Sequence, residues 1–137
     1  MAYDGRLMRR AMARFEEAKS RRADALRARE RAVYAAIPRV AEIDAALRAT
    51  MSKIIASALR RGADPRPAIE ALKEENLSLQ RERAALLTAH GYPADYLDDK
   101  PNCPLCGDAG WRGDEVCACL NDYYARVQLE ELSQLLD

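Results

Sequence analysis

Apolar residues recur at helical spacing along most of the first ninety residues. In the first stretch they are Met8, Met12, Phe15, Leu26, Val33 and Ile37, at steps of three, four or seven residues except for eleven between Phe15 and Leu26, which is the sum of four and seven. This periodicity predicts one long helix over residues 4–37, with a narrow apolar stripe that suits pairing with another helix. Arg22 interrupts the stripe.

Two breaks divide the helical region. Pro38 disfavours the helical conformation at Ile37 and can serve as the first residue of a new helix, so a second helix is predicted over 38–60. Whether Pro38 marks a turn or a kink stays open at this point. Residues 62–67 form a loop rich in Gly and Pro, and a third helix is predicted over 65–90. The second and third helices are expected to form an antiparallel hairpin.

The pattern changes after Gly91, which should end the third helix. Residues 92–120 hold four cysteines in an irregular segment, and residues 121–137 read as a last helix. The expected fold class is mainly α: long, coiled-coil-like helices in a hairpin, then a small four-cysteine module and a C-terminal helix. The expected division is a helical region over 1–91, the module over 92–120 and the last helix over 121–137.

The cysteines are the clearest chemical signal. Cys103 and Cys106 form one close pair, and Cys117 and Cys119 form another after ten intervening residues. Two such pairs can supply the four thiolates of a tetrahedral structural Zn²⁺ site, with no open position for catalysis. The segment also has too few apolar residues to fold unaided, which a metal would offset. Free buried cysteines and a disulfide remain the alternatives.

Charge is balanced overall but not along the chain. The first 31 residues carry ten Lys/Arg and five Asp/Glu, whereas residues 92–137 carry three and ten. The acidic cysteine region is poorly suited to phosphate binding, which needs cations. Nucleic-acid contact through the basic first helix is an alternative that the lack of interleaved aromatic residues disfavours. Its candidate residues are Arg9, Arg10, Arg14, Arg21 and Arg22.

Several classes of protein are not indicated. The chain has no P-loop, no dinucleotide-binding glycine pattern and a single histidine, so no enzyme is expected. No apolar stretch is long enough for a membrane span or a secretory signal, and the cytoplasm is the expected compartment.

Four short blocks resemble one family. They are residues 34–44 (YAAIPRVAEID), 91–97 (GYPADYL), 103–111 (CPLCGDAGW) and 117–119 (CAC). In this order they resemble the N-terminal region of DnaC/DnaI-type replicative helicase loaders, especially those of Gram-positive bacteria, their phages and prophages. Ala109 stands where these loaders usually have Thr, and Trp111 where they usually have Tyr. Neither difference falls on an expected metal ligand.

The resemblance implies a helical, zinc-containing domain that binds the hexameric replicative helicase and precedes an AAA+ ATPase domain, which this chain lacks. Its contact surface is expected around the cysteine module, with Tyr92, Tyr96 and Trp111 as candidates, although these residues could instead pack internally. Self-association through the helices is a further possibility for a coiled-coil-like chain.

Overall fold

The computed structural model of the chain describes residues 2–60, 62 and 64–136. Four helices dominate it, and a two-stranded antiparallel sheet lies before the last one. The elements are α1 (Gly5–Ala36), α2 (Pro38–Ala58), α3 (Arg66–Ala89), β1 (Trp111–Arg112), β2 (Glu115–Val116) and α4 (Ala118–Leu136). The mainly helical fold class is therefore confirmed. None of the described helices combines the length and apolarity that a membrane crossing requires.

Local signals explain where the helices begin and end. The Asp4 carboxylate accepts hydrogen bonds from the backbone N–H groups of Arg6 (2.8 Å) and Leu7 (3.1 Å), which caps the start of α1. Ile37 leaves the helical conformation (φ −133°, ψ 79°), and α2 begins at Pro38. Pro38 therefore marks a break between two helices, because proline disfavours the helical conformation of the residue before it.

The last helix begins earlier than predicted. It starts at Ala118 rather than at residue 121, so that Cys119 lies in its first turn. The Cys117 carbonyl accepts the Asn121 N–H at 3.0 Å, which joins the second cysteine pair directly to this helix.

The chain forms two compact units, and their limits differ from the predicted boundaries at 91/92 and 120/121. The cysteine unit comprises the residues up to Leu26 and those from Asp99 onward, and the helical unit comprises Arg27–Asp98. The difference arises because the first part of α1 packs with α4, while the residues that follow α3 pack back onto the helical unit.

The cysteine unit is held together by one face of α1 and one face of α4. The buried residues of this apolar cluster are Leu7, Ala11 and Phe15 from α1, and Leu120, Tyr124 and Val127 from α4. The buried stripe is therefore rotated slightly from the predicted one: Met8 is only partly buried and Met12 is 39% exposed. Outside this core, Arg14 of α1 donates to Glu130 of α4 at 2.8 Å, and Arg6 pairs with Glu131.

The helical unit has its own core, formed by Val33, Ile37, Val40, Leu87 and Leu97, none more than 6% exposed. Beside it lies a buried polar network. Tyr34 donates its hydroxyl hydrogen to Asp44, whose other carboxylate oxygen accepts from Arg83 Nε at 2.7 Å. α2 and α3 pack against each other, and Arg39 near the start of α2 pairs with Glu82 late in α3. The coiled-coil seam stays a prediction.

Candidate metal centre

The four predicted ligands converge on one point. The Sγ atoms of Cys103, Cys106, Cys117 and Cys119 all lie within 4.8 Å of one another. Cys103 Sγ is 3.8 Å from Cys117 Sγ, and Cys106 Sγ is 3.5 Å from Cys119 Sγ. Zinc at about 2.3 Å from each sulfur would place tetrahedral sulfurs roughly 3.8 Å apart, so the separations suit such an ion. Cys103 and Cys117 are buried, and the other two are half-buried.

The first cysteine pair lies in a tight turn. The Gly107 N–H donates to the Cys103 carbonyl at 2.9 Å, and the Gly110 N–H donates to Cys106 Sγ at 3.4 Å. Gly107 and Asp108 both adopt left-handed conformations, with φ of 62° and 65°. Glycine adopts this conformation without strain, whereas Asp108 is held in it by contacts described below.

The second pair follows the small sheet. Trp111 pairs with Val116 and Arg112 with Glu115, and this short hairpin returns the chain towards the first pair. The Cys117 N–H then donates to the Gly110 carbonyl at 2.9 Å. A backbone hydrogen bond therefore joins Cys117 to the turn that follows the first cysteine pair, independently of any metal.

The thiols differ in acidity. The hydrogen bond from the Gly110 N–H, helped by the neighbouring thiols, lowers the pKa of Cys106 to about 6. Burial raises the pKa of Cys119 above its ordinary value. A cation among the four sulfurs would favour the deprotonated form of all of them. Four sulfur donors would fill a tetrahedral ion completely, so the residues fit a structural metal and leave no place for a reactive water.

The buried carboxylate of Asp108 holds the backbone at the start of the first cysteine pair. Its side chain is 3% exposed and accepts hydrogen bonds from the backbone N–H groups of Asn102 (2.9 Å) and Cys103 (2.8 Å). It also pairs with the guanidinium of Arg22 on α1. Burial alone would raise the pKa of Asp108, but these two N–H groups and the Arg22 charge outweigh it and lower the pKa.

The role of Arg22 and Asp108 was not predicted. From the sequence, Arg22 is an interruption of the apolar stripe of α1 and a candidate nucleic-acid contact; a cation within an apolar stripe is the one signal of a buried ion pair that the sequence offers. The structure gives the reason for the interruption, because this face of α1 meets the carboxylate of Asp108 rather than an apolar side chain.

The three aromatic candidates for the contact surface belong to different units: Trp111 lies in the cysteine unit, and Tyr92 and Tyr96 lie in the helical unit. Trp111 is 42% exposed on β1 and borders a shallow groove of about 460 Å³, together with Tyr3, Asp114, Glu115 and Val116. Within the described part of the chain, neither Asp114 nor Glu115 forms an ion pair.

Tyr92 and Tyr96 lie in the helical unit, where both pack against its core. Their ring centroids are 4.9 Å apart, and the Arg29 guanidinium lies 5.7 Å from the centroid of the Tyr96 ring. The alternative that these two residues pack internally is therefore favoured over a place on the surface around the cysteines.

The arginines proposed for nucleic-acid contact are mostly engaged with carboxylates. Arg10 and Arg14 pair with Glu130, Arg21 with Glu17, and Arg22 with Asp108, while Arg9 is exposed. Arg22 pairs with a buried carboxylate and is therefore withheld from a phosphate, whereas the exposed pairs of Arg10, Arg14 and Arg21 are weak and easily exchanged. Nucleic-acid contact through the remaining arginines stays a prediction.

No protein family, curated protein or solved structure was found to match the chain. Its function is therefore inferred from its own residues.

Proposed function

We propose that the chain binds one Zn²⁺ ion through Cys103, Cys106, Cys117 and Cys119, and that the ion has a structural role. The observation that carries this proposal is the convergence of four Sγ atoms within 4.8 Å. Structural zinc contributes on the order of 10 kcal/mol to folding in small modules. The loop and sheet between the two cysteine pairs bury few apolar residues of their own, so we expect this segment to depend on the metal.

We further propose that the zinc-bound chain is a protein-interaction module, the helicase-binding domain of a DNA replication helicase loader acting in the cytoplasm. The sequence blocks that resemble such loaders support this function. The acidic character of residues 92–137, which carry three Lys/Arg and ten Asp/Glu, also supports a protein partner over a nucleic acid.

The groove beside Trp111 is the contact surface that we propose for the helicase. An exposed tryptophan provides a large apolar area of the kind that dominates protein interfaces. The unpaired carboxylates of Asp114 and Glu115 border the same groove. They favour a helicase surface on which an apolar side chain is flanked by Lys or Arg.

The test uses the whole chain and the replicative helicase of the organism that encodes it. Zinc-loaded protein is expected to retain the helicase in a pull-down at moderate salt, and Trp111→Ala should weaken this binding about tenfold or more, as for an interface hot spot. Leu105→Ala, which removes another exposed apolar side chain of the module (62% exposed), is the matched control. It should leave the affinity nearly unchanged.

Different results would contradict the zinc site and the helicase-binding function. Metal analysis that finds no zinc in protein purified without chelator would contradict the metal site. Helicase binding that persists after zinc removal would contradict a role for zinc in docking. DNA binding with a steep salt dependence, together with no helicase binding, would instead favour the nucleic-acid alternative.

A further inference from the structure

One face of the α2–α3 pair carries an apolar groove that lies wholly within the helical unit. It consists of two adjoining depressions of about 550 and 390 Å³, which share Met51 and Asn76. Its apolar lining comes from Leu47, Met51, Ile54, Leu77, Ala84 and Ala94.

The apolar side chains along this groove lack a covering layer. Met51 is 54% exposed and Leu77 is 46% exposed. Among the described residues of 51–60 and 66–86, none is buried, whereas the earlier part of α2 buries Val40 and Ile43 completely. A helix pair normally buries such residues against a further element, so this half of the pair has room for one more helix.

Four charged residues line the groove, and three of them are positive: Arg48, Lys73, Arg83 and Asp98. Arg83 is paired with Asp98 at 3.5 Å and with Asp44, so these charges largely compensate one another. Arg48 borders it on the α2 side and pairs with no carboxylate in the described part of the chain. Lys73 borders it on the α3 side, and its one ion pair among the described residues is a long, exposed contact with Glu70 at 3.7 Å. A pair of this kind contributes little energy and is easily exchanged. The groove therefore has an apolar floor between two available cations.

We propose that this groove binds an amphipathic helix of a partner protein whose apolar face is flanked by Asp or Glu. A helix lying between α2 and α3 would place its apolar side chains on Met51 and Leu77 and its carboxylates near Arg48 and Lys73. The amide side chains of Asn76 and Gln80, which also line the groove, can hydrogen-bond polar groups of the partner. This site is separate from the cysteine cluster and does not depend on the proposed helicase function.

The same charges disfavour a second copy of the chain as the occupant. Two such grooves packed face to face would bring the unpaired Arg48 of both copies into one interface, together with both Lys73 side chains. Like charges brought together in an interface are unfavourable unless carboxylates compensate them, and Asp98, the carboxylate in the groove lining, is already paired with Arg83. A nucleic acid is also disfavoured, because its phosphates would have to lie over an apolar floor.

The experiment uses the zinc-loaded full chain and two synthetic helical peptides of about 14 residues, roughly 21 Å long at 1.5 Å per residue. Both carry Leu at helical spacing; one has Glu at the flanking positions and the other has Lys. Fluorescence anisotropy of the labelled peptides measures their affinities. We expect the Glu peptide to bind about tenfold more tightly than the Lys peptide, and Arg48→Glu to remove or reverse this preference.

Variants of the groove locate the binding. Met51→Gln combined with Leu77→Gln should weaken the Glu peptide about tenfold or more. Ala71→Gln, on the other face of the α2–α3 pair, should leave its affinity unchanged. The substituted residues are all exposed: Arg48, Met51, Ala71 and Leu77. Circular dichroism of each variant verifies that the helices persist. If the double variant lost helix, Arg48→Glu alone would still decide the question.

Three outcomes would overturn the proposal. The first is equal affinity for the two peptides, and the second is binding that the groove variants leave unchanged. The third is reversible dimerisation of the wild-type chain in sedimentation equilibrium that Met51→Gln with Leu77→Gln abolishes, because the occupant would then be a second copy.

Discussion

Replacing Arg22 by Met removes the guanidinium that faces Asp108 and keeps most of the side-chain volume. The Arg22 side chain is 26% exposed and that of Asp108 is 3% exposed, so their ion pair is largely shielded from water. Breaking a fully buried pair from one side costs about 3–5 kcal/mol. Asp108 would still accept two backbone N–H hydrogen bonds, and Arg22 is not fully buried, so we expect a loss of about 2–3 kcal/mol.

The assay is urea denaturation of the zinc-loaded chain, combined with zinc competition against a chromophoric chelator. Asp108 holds the N–H groups of Asn102 and Cys103, so disturbing it should weaken zinc binding as well as folding. Arg21→Met is the matched control. Among the described residues Arg21 forms an ion pair with Glu17 alone, and its side chain is 64% exposed. Its loss should therefore change the free energy of unfolding by less than about 0.5 kcal/mol.

A double-mutant cycle tests the pair itself. Asp108→Asn removes the charge, and adding Arg22→Met should then cost clearly less than it does in the wild type, with a coupling of about 1–3 kcal/mol. The reasoning is refuted if Arg22→Met behaves like Arg21→Met in both assays, or if the two changes at Arg22 and Asp108 are additive.

Three further outcomes follow from burial and backbone geometry. Leu87→Ala empties a fully buried position and should cost about 2–5 kcal/mol in urea denaturation; a smaller loss would contradict its place in the core. Asp44→Ala leaves Arg83 without its buried partner and should lower the melting temperature more than the same change at an exposed aspartate. Gly110→Ala should destabilise more than Gly113→Ala: both have positive φ, but a Cβ at Gly110 would lie 3.3 Å from a side-chain atom, whereas one at Gly113 meets open space. Equal losses at the two glycines, measured by thermal denaturation, would count against this packing argument.

The local features of the chain were predictable from the sequence. The break at Ile37 follows from the steric effect of Pro38 on the residue before it, and α1, α2 and α3 lie within about two residues of their predicted ends. The cysteine cluster was also predictable, because close pairs of thiols in a segment with few apolar residues suit a tetrahedral ion. In each case the cause acts over a few neighbouring residues.

The packing partners of the helices and the buried ion pair depend on contacts between residues that are far apart in the sequence. Periodicity indicates that a helix face is buried but not what covers it, so the first part of α1 could not be assigned to the α4 core from sequence. For the same reason Tyr92 and Tyr96, though close in sequence to the cysteines, pack in the helical unit. Arg22 interrupted an apolar stripe without apparent cause until the fold brought Asp108 to it from 86 residues away. An ion pair forms through space, and only the tertiary structure decides which charges share a buried site.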